Sequence, residues 1–109
     1  MKAKPFFIVE LNIEPEHEES WHQWYHSVHI PEMMEVGKGI VHAARFRKIG
    51  GTGAYKYAAV YEFESEDSLQ EYLDSSRGVE LSAQYTRDWG KVSNRVNAAY
   101  VPFFELERQ

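Results

Sequence analysis

An imidazole titrates near neutrality, so a histidine held at the border of a protein core can accept a proton and return it within one turnover. Three of the chain's five histidines fall in the run Trp21-His22-Gln23-Trp24-Tyr25-His26-Ser27-Val28-His29-Ile30-Pro31. Laid out at about 100° per residue, Trp21, Trp24, Tyr25 and Val28 form one apolar stripe, with His22 and His26 well off it and His29 at its edge beside Tyr25. That position suits a general acid and base. A second reading is equally physical: a histidine just before Ile30-Pro31 can hydrogen-bond the open carbonyls where a helix ends. Tyr61 shares a strand face with Phe63 and is the candidate phenol to donate to a developing oxyanion. Arg45 is the candidate to hold a carboxylate or enolate, although alternation puts it opposite Phe46, so that only one of the two faces a cavity. Trp24, Tyr25, Met33, Tyr57 and Trp89 are candidates to line an aromatic pocket, with Met34 and Tyr85 beside them, since ligand sites are mostly apolar with few polar groups.

His22 and His26 have the i, i+4 spacing of a metal-binding pair, with His29 one turn beyond. The HExxH order is absent and no downstream acidic ligand is identifiable, so a solvated face rich in Glu and His is expected and no metal is assigned. There is no Cys nucleophile, Ser-His-Asp signature or dinucleotide fingerprint. Gly50-Gly51-Thr52-Gly53 is followed by a strand pattern rather than a helix, which argues against phosphate binding. No cofactor is expected.

These side chains need elements to position them. Pro5 to Ile13 alternates as a strand, with Phe7, Val9, Leu11 and Ile13 on the core face. Helix one starts near Pro15, where Glu14, Glu16, Glu18 and Glu19 complement the helix dipole. Pro31 should end it at about His29 or Ile30, with a short turn through Met33, Met34 and Val36 to Gly37. Ile40–Ile49 and Tyr55–Phe63 read as a hairpin across the glycine-rich turn, the inward face of the first strand being left open. Ser65 is a good N-cap for a helix carrying Leu69, Tyr72 and Leu73, which Gly78 can end. Leu81, Tyr85 and Trp89 suggest a further short helix stopped by Gly90, and Val92 to Val101 is the last strand.

The order strand, helix, strand, strand, helix, strand is the ferredoxin-like βαββαβ arrangement, an α+β fold with both helices on one face of a four-stranded antiparallel sheet. Residues 1–109 are expected to form a single domain. Phe6, Ile8, Ala58, Val60, Ala99 and Val101 would lie on the far face, which is too apolar for water and asks for a second copy of the chain. A net charge of -5 without a Lys/Arg run argues against nucleic acid. No apolar run approaches a membrane span, and a cytoplasmic protein with no membrane partner is expected.

Trp24-Tyr25, His29-Ile30-Pro31, Ala44-Arg45-Phe46, Tyr61-Glu62-Phe63-Glu64-Ser65 and the Leu69-to-Leu73 helix together resemble the dimeric α+β barrel superfamily, and within it EthD-like and related uncharacterised small proteins. The resemblance implies a homodimer of ferredoxin-like subunits with a ligand cavity between helices and sheet. His29 matches the histidine that EthD-like sequences place before a proline in helix one. The cyclase-like branch carries a tyrosine in helix two and a histidine shortly after it; Tyr72 matches, but Leu73 to Val79 contains no histidine, which argues against that mechanism. Fold analogy alone does not choose among the superfamily's chemistries. The expectation is a cofactor-independent enzyme that transfers protons on a small apolar aromatic or enolisable metabolite, of lyase, isomerase or dehydratase type. The alternatives are a cofactor-free monooxygenase and a non-catalytic hydrophobic small-molecule binder.

Overall fold

The structure, a computed structural model, describes residues 2–109. Its strands are β1 (Phe6–Ile13), β2 (Ile40–Arg47), β3 (Tyr57–Phe63) and β4 (Ser93–Tyr100), and its α-helices are α1 (Glu18–Trp24), α2 (Ile30–Val36), α3 (Glu66–Asp74) and α4 (Ser76–Trp89). The strands form one antiparallel sheet in the order β2-β3-β1-β4. This is the ferredoxin-like α+β fold expected from the element order. Val9, Leu11, Ala59, Tyr61 and Phe63 on one sheet face pack with Trp21, Tyr25, Met33, Leu69, Leu81 and Tyr85 from the helices as the core. Among the described residues no helix is long and apolar enough to cross a membrane.

Helix one does not stop before Pro31, as expected, but runs on to Val36. Between α1 and α2 the chain winds as one π segment, Tyr25–His29, in which the Ile30 N–H bonds the Tyr25 carbonyl. Proline in an α-helix removes a donor and crowds the carbonyl four residues back. Here that conflict is absorbed by the wider turn, and Pro31 falls in the first turn of α2, where a missing donor costs little. The same widening explains a burial pattern. Trp21, Tyr25, His29 and Met33 are all buried, a four-residue spacing that drifts about 40° per step on a regular α-helix. The π segment takes up the drift and keeps His29 and Met33 over the sheet, while Val28 turns out to 40% exposure.

Two further boundaries differ from expectation. Gly78 does not end a helix; Ser75 closes α3 and its hydroxyl accepts from the Gly78 N–H to open α4, so Gly78 sits in that helix's first turn. A Cβ there would come within 2.8 Å of the Ser75 hydroxyl and 3.0 Å of the Tyr72 carbonyl, so the close α3–α4 junction needs glycine. In β4, Ala99 pairs opposite Phe7 on the helix face, and Val101 lies beyond the strand. The outward residues are Val96, Ala98 and Tyr100 instead, beside Phe6, Ile8, Ala58 and Val60.

The Ser65 cap forms as expected. Its hydroxyl accepts from the Ser68 N–H at 3.1 Å, and the Ser68 hydroxyl accepts from the Ser65 N–H at 3.2 Å. Ser65→Ala orphans one donor at the head of α3 and should lower unfolding free energy by about 1 kcal/mol, read from urea denaturation midpoints.

Candidate functional site

A cavity of about 170 Å³ opens between the helix face of the sheet and α2, α3 and α4. The sequence builds it from several elements. The π segment turns His29 inward, α2 adds Met33, the β3 alternation adds Tyr61, and β4 adds Arg95 and Asn97. Phe7, Val9 and Leu81 supply apolar wall. Among the described residues no Asp or Glu lines it.

His29 is not at a solvent border, as expected, but is only 6% exposed. Its ring stacks on Trp24 at 4.7 Å and 16° and meets Tyr25 edge-on at 5.0 Å. Burial, helped by the positive charge of Arg95, lowers its pKa to about 4, so at neutral pH the imidazole is uncharged and able to accept a proton. The Tyr61 side chain is fully buried, and its hydroxyl has no hydrogen-bond partner among the described residues. Burial raises its pKa, so it stays a phenol with a proton to donate. Tyr72 reaches Met33 instead, its hydroxyl donating to the sulfur at 3.3 Å.

The other expected site residues fall in two places. Trp24, Tyr25 and Trp89 stand behind His29: Trp24 covers its ring, Tyr25 meets its edge, and Trp89 packs on Trp24 at 5.5 Å. Tyr85 anchors this cluster, its hydroxyl accepting from the Trp21 indole at 2.8 Å and bonding Ser93 at 2.7 Å. Met34 is 40% exposed and outside the cavity.

Arg45 and Tyr57 lie elsewhere, under α1. The inward face of β2 carries Arg45, while Phe46 points out at 55% exposure. The Arg45 guanidinium sits 4.6 Å from the Trp21 ring and 4.3 Å from that of Tyr25, and its Nη1 meets His22 Nδ1 at 2.8 Å and His26 Nε2 at 3.1 Å. His22, half-buried, and His26, exposed, thus cap an arginine from the solvated face of the helix. Burial and then Arg45 lower the His22 pKa. Tyr57 donates to the Glu18 carboxylate, and that bond, ahead of Lys56, lowers the Glu18 pKa.

Arg95 was not singled out by sequence reasoning. Its Nη2 donates to the Ser82 carbonyl at 2.8 Å and the Ser82 hydroxyl at 2.9 Å, with its guanidinium carbon 4.3 Å from the Tyr85 ring. A neutral base, a free phenol and a fixed guanidinium thus meet one small, mostly apolar space. That set can remove a proton from carbon, hold the resulting oxyanion and return the proton elsewhere.

The fold has many solved counterparts. An EthD-family protein from Bacillus halodurans is 17% identical over 88% of this chain and 97% of its own, with a TM-score of 0.63. SnoaB from Streptomyces nogalater, a cofactor-independent oxygenase solved as a point mutant, is 12% identical over 96% of this chain and 98% of its own, with a TM-score of 0.60. A dimeric ferredoxin-like protein of unknown function from Jannaschia is 11% identical over 88% of this chain and 98% of its own, with a TM-score of 0.56. No curated protein matches the sequence. Residues 5–96, which span β1 through the first half of β4, match the family described as a domain of unknown function, DUF4286, and the chain belongs to that family.

Proposed function

We propose that this chain is a homodimeric, cofactor-independent enzyme that transfers protons on a small apolar aromatic or enolisable metabolite, with lyase, isomerase or dehydratase chemistry. The observation that carries the reading is the meeting of the neutral His29 imidazole and the partnerless Tyr61 hydroxyl at one cavity. His29 takes a proton from the carbon next to a carbonyl, and the electron pair left behind moves onto the carbonyl oxygen. Tyr61 donates a hydrogen bond to that oxygen. The imidazolium, a strong acid in this setting, then returns the proton to the enolate or to a leaving group. Trp24, Tyr25 and Trp89 hold the imidazole plane, and Met33 shapes the wall beside it.

The test is hydrogen–deuterium exchange at the benzylic carbon of phenylpyruvate in D2O, followed by proton NMR. The wild-type protein should accelerate exchange. His29→Ala should fold and lose the acceleration, and Tyr61→Phe should lose about a hundredfold, the usual weight of one oxyanion donor. Equal rates for wild type and a folded His29→Ala would overturn the reading.

The likeness to a cofactor-independent oxygenase favours one alternative, in which the same base generates a carbanion that reacts with oxygen. Oxygen consumption coupled to substrate loss would select it. The dimer rests on the apolar outer sheet face and on counterparts such as the dimeric Jannaschia protein.

A further inference from the structure

We infer that the cavity takes a single-ring carboxylate, its acid group held by Arg95 and its ring lying against Phe7, Val9 and Leu81. This deepens the proton-transfer reading and rests on it for the chemistry, though not for the binding.

The first argument is charge. Arg95 brings a positive charge to the cavity, His29 is neutral there, and no described lining residue is acidic. In a chain of net charge -5, a half-buried guanidinium left without a carboxylate is a choice the rest of the surface does not force. A half-buried guanidinium whose partners are all neutral gains a charge-assisted pair from an incoming anion.

The second is geometry. The Arg95 hydrogen bonds to Ser82 and Thr86 all leave from Nη2, and the guanidinium is further fixed over the Tyr85 ring. The fork is held from one side, with Nε and Nη1 left to meet a ligand. Asn97 comes from the same face of β4 two residues on and lines the same space.

The third is the orientation of β4. Three of its polar residues, Ser93, Arg95 and Asn97, share the helix face with Ala99, while Asn94 joins Val96, Ala98 and Tyr100 on the outer face. An edge strand serving packing alone would turn its polar side to water. Size then sets the class. A cavity near 170 Å³ compares with roughly 150 Å³ for an engineered cavity that holds benzene, so one ring and a small acid group fit and two fused rings do not. An anion bound here would also draw the His29 pKa upward, toward the range in which proton transfer is efficient.

The experiment is calorimetric titration with benzoate, its neutral counterpart benzamide, and 2-naphthoate, on wild type, Arg95→Gln and Arg95→Lys. Wild type should bind benzoate at least about tenfold tighter than benzamide and reject naphthoate. Arg95→Gln should lose the preference while still taking benzamide, and Arg95→Lys should recover part of it, which separates lost charge from lost packing. Benzamide binding as tightly as benzoate, a preference that survives Arg95→Gln, naphthoate binding as well as benzoate, or no binding of either single-ring probe would each overturn the inference. Loss of the benzoate preference with His29-dependent exchange intact overturns this inference alone. A firm preference without such exchange overturns the proton-transfer reading alone.

Discussion

Acidifying from about pH 7 to pH 4 should remove about 3 kcal/mol of unfolding free energy through His29 alone. In the folded chain its pKa is lowered from the ordinary 6.5 to about 4, chiefly by burial. As pH falls through the unfolded value, the unfolded imidazole takes up a proton that the native one refuses. The unfolded state then binds more protons, and stability must rise with pH across this window. The contribution is fully present above the unfolded pKa and is lost progressively as pH falls to the folded one. His22, also lowered by burial and by Arg45, adds to the slope in the same direction. Urea unfolding of wild type and His29→Leu at the two pH values measures the effect. The leucine has nothing to titrate, so its stability should change less by about the stated amount; an identical pH dependence would show that His29 is not buried in its neutral form.

The depth of His29 was the least legible feature of the chain, and the reason lies in the backbone. A stripe drawn at a regular helical pitch puts His29 at the edge and Val28 within; the π segment exchanges them. Nothing in Val28-His29-Ile30-Pro31 announces that a proline will be absorbed by a wider turn rather than ending the helix. The four-residue recurrence of Trp21, Tyr25, His29 and Met33 was the available signal. Local chemistry was readable where it was local, as in the Ser65 cap, the glycine-rich turn between β2 and β3, the alternation of β1 and the stop at Gly90. Gly78 misled because its role is to let α4 approach Tyr72, a tertiary fact with no signature in the flanking residues.

The site was legible in part for a related reason. Tyr61 follows from strand alternation, whereas Met33, expected in a turn beyond helix one, is brought in by the continuation of that helix, and both line the cavity. Arg45 drew attention because it sits in a motif-like stretch, yet its partners are the aromatic and histidine side chains of α1 and the π segment. Arg95 escaped because polar residues alternating along a last strand normally mark its wet side. In this fold that rule is inverted, since the outer face is the apolar one. The polar set Ser93, Arg95, Asn97 could have been read as facing the helices had the outer face's need for a partner been carried over to β4.

The proposed dimer gives the second large effect. Ile8 and Val60 are directly opposed on the two central strands of the outer face, flanked by Phe6, Ala58 and Ala98. Phe46 is 55% and Tyr100 54% exposed on the same face in the single chain. A contiguous apolar surface of this kind marks an interface rather than a wet sheet. Val60→Glu places a carboxylate near its centre, and twofold symmetry doubles it. Burying each unpaired charge costs on the order of several kcal/mol, against roughly 8 kcal/mol for a micromolar dimer, so association should be largely lost. Sedimentation at about 10 µM should show wild type at twice the chain mass and Val60→Glu at one chain mass, with the far-UV circular dichroism of a folded protein. A wild-type monomer, or a Val60→Glu dimer, would remove the proposed assembly. His29, Tyr61 and Arg95 all face the opposite side of the sheet from Val60, so a folded Val60→Glu monomer should keep its benzoate site. Assembly and chemistry would then be separable properties of the two faces of one sheet.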